Sequence, residues 1–250
     1  MKEQVNRCTK TRSILLIIAS LIGGEIQLQS SETLPERTWH VNMYDYSAGA
    51  TMTKGAELLK SGDSEKARRY CDAAIARAPK EWPPYFARAF VFGRQQKWAL
   101  AAEDLNTVLR LKPTLYLAAI VRGWMNERLG NFRSSLADYE KILSFQPLPF
   151  TCALALNSRA WLRATCPDAG FRNAQQAIAD AKAACKITYW SKPDHIDTLA
   201  AAYAEAGDFD SAVRFEQRAL AREHNEADRK GYEYRLSMYQ AHHPFRYMPK

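Results

Sequence analysis

Three cations stand at one fixed interval in this sequence of 250 residues: Lys60, Arg94 and Arg128, each 34 residues from the next. Phe90 and Trp124 each lie four residues before a cation, and Trp161 continues the aromatic series. Guanidinium groups pair with carboxylates through parallel hydrogen bonds, and aromatic faces provide large anchoring areas. Cations flanking aromatics therefore suit an extended protein segment carrying carboxylates and a few apolar side chains.

Catalytic chemistry has no comparable support. Neither a G-x-x-x-x-G-K-[ST] nor a G-x-G-x-x-G run occurs, so no phosphate cradle is indicated. No H-E-x-x-H or paired C-x-x-C offers a metal site. His242 and His243 are adjacent, and neighbouring side chains diverge on a helix. Ser, His and Asp occur without a nucleophile elbow. The expectation is a protein that is not an enzyme and that needs no cofactor or metal.

Charge excludes a further class. The net charge is +8, and residues 1–24 contribute a surplus of +3 through Lys2, Arg7, Lys10 and Arg12 against Glu3. The remaining +5 is spread without the dense Lys/Arg stripe of a nucleic-acid binder. Residues 1–12 are basic and 14–24 (ILLIIASLIGG) are apolar, which is the layout of a secretory signal peptide. A spanning helix needs about 20 apolar residues. The leader therefore predicts export to the periplasm or medium, with an uncleaved inner-membrane anchor as the alternative. Residues 25–47 read as a linker.

The elements that must hold the cations and aromatics follow from the same interval. Pro79, Pro113 and Pro147 are 34 residues apart. Aligned on them, Gly55, Ala89 and Gly123 form one column, Ala67, Ala101 and Ser135 a second, and Ala74, Val108 and Ile142 a third. Small residues let two helices of a unit approach closely, and the apolar column fills the space between units. Proline marks the end of the second helix because the chain beyond it cannot stay helical. Gly62 and Gly130 punctuate the turns, with Gln96 in the glycine position of the middle unit. Residues 197–220 repeat the pattern with Ala200, Tyr203, Gly207, Ala212 and Ala219. One unit is altered: Ala160 and Ala177 are 17 apart instead of 12, which places an insertion around residues 165–173, with Pro167 ending the first helix. Three further residues at 148–150 lengthen the connection before it.

These residues resemble the tetratricopeptide repeat family, including bacterial modules of that kind. The resemblance implies an all-α fold, a right-handed superhelix of helical hairpins over residues 48–224, in five units (48–81, 82–115, 116–149, 150–191 and 192–224). A capping helix and tail would follow at 225–250, with Asn225 as cap and Tyr232, Leu236 and Tyr239 closing the last apolar face. In the family's geometry, set positions of each first helix face a concave groove. Carried over, they are Lys60, then Phe86, Phe90 and Arg94, then Ile120, Trp124 and Arg128, then Asn157 and Trp161. Two structural roles compete with binding: Trp161 as packing within the altered unit, and the cations as complements to helix dipoles. The family's clamp for a terminal carboxylate needs Lys and Asn where Met52 and Ala56 stand, so that ligand is not implied.

The implied function is a non-catalytic scaffold holding a protein or extended peptide, with acidic character suited to the cation row. The alternatives are a subunit positioning substrate for an enzyme complex and a homo-oligomerising module. Cysteine usage leaves a Cys152–Cys185 bridge open, because the two would neighbour each other in the fourth hairpin, against buried thiols acting as small apolar groups.

Overall fold

The computed structural model describes residues 54–59, 61–145 and 147–249. The leader, the linker and Lys60 lie outside the described residues. All regular structure among those described is helical, and none of their helices is long and apolar enough to cross a membrane. Two compact units divide at Pro113 and Thr114, and each is described by itself.

In the first unit, residues 54–59 are helical and are followed by α1 (Ser64–Arg77), α2 (Pro83–Arg94) and α3 (Trp98–Leu111). α2 packs against both α1 and α3. Asp63 caps α1 by accepting from the Lys66 N–H at 2.9 Å, one of the donors a helix start leaves without an internal partner. Prolines open α2, where a missing N–H costs nothing. The turn between α2 and α3 shows why Gln96 aligns with glycines: it adopts φ +57°, as Gly62, Gly130 and Gly207 adopt +82°, +75° and +81°. The left-handed backbone reverses the chain whichever residue occupies it.

The second unit contains α4 (Tyr116–Arg128), α5 (Phe132–Ser144), α6 (Pro149–Thr165), α7 (Ala174–Ile187), α8 (Pro193–Glu205), α9 (Phe209–Leu220) and α10 (Glu226–Gln240). Each helix packs on the next, and α6 also touches α4 and α8. The three first helices of successive hairpins thus form one row. Pro149 and Phe150 belong to α6, so the extra residues at 148–150 mostly lengthen that helix instead of its connection. The longer insertion forms a single 3-10 turn, Ala169–Phe171. Arg172 fastens it by donating through Nη1 to the carbonyls of Cys166 (2.9 Å) and Pro167 (3.1 Å).

Close approach within a hairpin is sharpest at Gly123 in α4. An alanine methyl there would lie 2.4 Å from the Tyr139 ring of α5. Tyr139 is fully buried, its hydroxyl donates to Glu127 Oε1 at 2.6 Å, and Ile120, Ile142 and Ala155 surround it. The ring cannot step aside without leaving that hydrogen bond. Gly123→Ala is expected to lower stability by about 1–3 kcal/mol, overriding alanine's better helix propensity. Thermal denaturation of the full chain checks this, and an unchanged or raised Tm would refute the close contact.

A second column ties first to second helices. Arg88 grips Asp104 through Nε and Nη2 (2.8 and 2.7 Å) and reaches Asp72 with Nη1 (2.7 Å). Arg122 donates to Asp138 (2.9 Å), and Arg159 grips Asp180 through Nε and Nη2 (2.7 and 2.9 Å). Asp104, Asp138 and Asp180 are buried, so each of these hairpins carries its own forked ion pair.

All four described cysteines, Cys71, Cys152, Cys166 and Cys185, are free thiols. The Cys152–Cys185 bridge is not formed. Cys185 instead packs into an apolar cluster with Ala160, Ile196, Leu199 and Tyr232.

Candidate functional site

The residues expected to line a groove divide into interior and surface. Phe86 and Phe90 in α2 are buried and meet edge to face, with ring centroids 5.0 Å apart. Ile120 in α4 is fully enclosed by Tyr139, Ile142 and Ala155. These three are core side chains with no surface to offer a ligand: the expected face is covered there. Arg94 is exposed at the end of α2.

The remaining positions, all in the second unit, come together on the row α4–α6–α8. Trp124 is half-buried and its indole N–H donates to Ser158 Oγ on α6 at 2.9 Å. That bond fixes the indole's orientation. Asn157 buries its side-chain oxygen with no hydrogen-bond partner among the described residues. Trp161 packs on the Phe245 ring at 5.7 Å, and the Arg128 guanidinium lies over the Tyr247 ring at 4.9 Å. Trp161 and Arg128 thus both meet residues that follow α10.

Those residues form a short segment without regular secondary structure, laid against the row. Its course is fixed by four contacts. The chain turns at His242 (φ +59°), whose ring stacks on Phe209 at 5.0 Å. Phe245 enters between Trp161, Tyr234 (6.5 Å) and the Arg235 guanidinium (5.6 Å). Arg246 Nη2 stands 2.6 Å from Glu205 Oε2 at the end of α8. The Tyr247 N–H donates to the Thr165 carbonyl, left free at the end of α6, at 2.9 Å. Burial pushes the Tyr247 phenol up to about 12, so it stays neutral under the Arg128 cation.

Two supports of this site come from places that spacing alone did not mark. Glu205 is held by Arg172 Nε at 3.0 Å, so the inserted turn after α6 aims a carboxylate at Arg246. Arg235 of α10 bonds Asp197 Oδ1 at 2.6 Å while lying over Trp161 at 5.5 Å. The sequence signal for the segment was the order Pro244-Phe245-Arg246-Tyr247, an aromatic–arginine–aromatic run directly after the capping helix.

No family model matches the sequence. A tetratricopeptide repeat and J domain-containing co-chaperone, DNJ1 of Fusarium oxysporum f. sp. lycopersici, is 33% identical over 88 residues, 35% of this chain and only 17% of that protein. Among solved structures, the APC/C hetero-tetramer Cut9-Hcn1 superposes with a TM-score of 0.64 at 18% identity over 81% of this chain and 38% of the other. TTC0263, a thermophilic tetratricopeptide protein of Thermus thermophilus, gives 0.56 at 19% identity over 78% and 99%. MamA from Desulfovibrio magneticus RS-1 gives 0.52 at 15% identity over 72% and 96%. The chain therefore has the tetratricopeptide repeat fold, built of helical hairpins without strands among the described residues.

Proposed function

We propose that this chain is a non-catalytic scaffold that holds an extended segment of another protein across α4, α6 and α8 of the second unit. Trp124, Arg128, Asn157 and Trp161 form the receiving face, with Glu205 and Arg235 at its edge. The observation that carries the reading is the non-helical segment already lying there, through ring contacts, an ion pair and a backbone hydrogen bond. Extended segments suit such a row because side chains provide selectivity while free carbonyls at helix ends accept from the backbone. Among the described residues no cluster of His, Cys, Asp and Glu could hold a metal, and the buried aspartates of the hairpins sit in ion pairs within the fold.

The partner segment is read from the face that receives it. Because Trp124 lies at the face and is anchored by Ser158, a photoreactive residue placed at 124 reports what occupies it. The expected product, in the native cell envelope predicted by the leader, is a crosslink mapping to an extended segment of a second protein, lost on Arg128→Glu. Crosslinks joining only copies of this chain, or insensitive to Arg128→Glu, would overturn the reading.

A further inference from the structure

We infer that residues 244–249 are a built-in occupant of this face, and that the partner is an extended peptide with the same aromatic–arginine–aromatic order, which must displace them. The inference deepens the scaffold reading and rests on it. It also changes the partner's expected chemistry from acidic to basic and aromatic.

Charge complementarity decides the chemistry. Arg128 covers the Tyr247 ring at 4.9 Å and Arg235 lies over the Phe245 ring at 5.6 Å, so the role of each toward an occupant is that of a cation on an aromatic face. The carboxylate turned toward the segment is Glu205. Arg172 engages its Oε1 at 3.0 Å, and Oε2 faces Arg246 at 2.6 Å. An acidic side chain in the Arg246 position would meet Glu205 as a like charge. Trp161 and the Arg235 guanidinium flank a site that takes a flat apolar ring, filled by Phe245. The three seats therefore read, in order, ring, guanidinium, ring.

The attachment is also lightly made. Ala241, His242 and His243, which lead into the segment, are exposed, and residues 244–247 are only half-buried. One backbone hydrogen bond, from Tyr247 N–H to Thr165, is well formed, and Arg246 reaches the Ala164 carbonyl only at 3.4 Å. The Tyr247 hydroxyl and the Asn157 side-chain oxygen are buried without hydrogen-bond partners among the described residues. Of the two, Asn157 stays on the face when the segment leaves, and a partner that satisfied it would gain over the resident segment. A tethered occupant competes at an effective concentration in the millimolar range, so it screens out weak ligands and yields to better ones.

The test uses a fluorescein-labelled peptide with the sequence of residues 243–249 and two variants of the full chain. One, Phe245→Ala/Arg246→Ala/Tyr247→Ala, empties the seats; the other, Arg246→Glu, opposes Glu205. Both are expected to keep the helical circular dichroism of the parent and to bind the peptide at least about tenfold more tightly than the parent does. A peptide with glutamate in place of its arginine is expected to lose that binding. Equal affinity for parent and variants, or no binding by folded variants, would overturn the inference. So would loss of the helical signal in both variants, because the segment would then be part of the core. The scaffold reading fails separately. If the peptide binds the emptied face but position 124 captures no second protein, the scaffold role falls. If it captures a segment lacking the aromatic–arginine–aromatic order, only the present inference does.

Discussion

Asp180→Ala is expected to destabilise the chain by about 3 kcal/mol, the low end of the range for removing one partner of a buried ion pair. Asp180 in α7 receives both Arg159 Nε and Nη2, at 2.7 and 2.9 Å, and Gln176 Nε2 at 2.9 Å. Its side chain is 5% exposed and that of Arg159 17%. Without the carboxylate, the guanidinium keeps its burial and loses its counter-charge. The small remaining exposure lets water reach part of it, which holds the cost toward the low end. Arg159→Met/Asp180→Leu removes both charges together and is expected to stay within about 1 kcal/mol of the parent, because well-packed apolar replacements avoid the desolvation cost. Urea denaturation of the parent, Arg159→Met, Asp180→Leu and the double closes the cycle, with Asp180→Ala measured beside it. If Asp180→Ala costs less than about 1 kcal/mol, the forked pair is solvated and does not lock the hairpin.

The ion-pair column also shows what the sequence made visible and what it hid. The interval of Pro79, Pro113 and Pro147 and the small columns through Gly123 and Ser135 were enough to read helical hairpins, because close approach and helix termination are local demands. Arg88 and Arg122 are likewise 34 residues apart, as are Asp104 and Asp138. Charged residues on a helix usually signify a solvated face, so that equally regular column carried no warning of burial. The insertion after Thr165 was legible in length only. Its use of Arg172 to hold Glu205 depends on where the chain returns in space. Position on the first helix assigns a residue to a side, yet cannot tell whether another layer covers it. Phe86 and Ile120 are therefore interior, while Trp124 and Trp161 are half-buried. The residues after α10 read only as a tail to the capping helix, since a short polar-aromatic run has no period to reveal where it lies.

Between pH 4.5 and about 7 the stability of the chain should fall through Glu127, and Glu127→Gln should remove that part of the fall. Glu127 is buried in α4, and burial pushes its carboxyl from 4.5 up to about 7, against the lowering effect of the Tyr139 hydrogen bond and the Arg128 charge. The folded chain thus binds a proton that the unfolded chain has already released across this interval. Stability declines with pH wherever the folded state holds the extra proton. The contribution is intact below 4.5 and lost by about 7, at a full cost of about 3 kcal/mol. Glutamine keeps an oxygen to accept from Tyr139 and cannot ionise, so Glu127→Gln should match the parent near pH 4.5 and exceed it by up to about 3 kcal/mol at pH 8. Other buried groups also titrate: burial raises Asp104 and Asp197 above the ordinary aspartate value, each adding a loss of stability with rising pH. Burial and the nearby Asp197 hold Glu216 well above its ordinary value, which adds a loss of the same sign. Burial lowers His195, so stability rises as pH passes up through its unfolded value, in the opposite sense. All of these persist in the variant and cancel in the difference between variant and parent, which is why the difference is the quantity to measure by urea denaturation at each pH. A difference that does not grow between pH 4.5 and 8 would mean that Glu127 is already ionised in the fold, with water or a cation reaching a carboxylate that is otherwise sealed beside Tyr139.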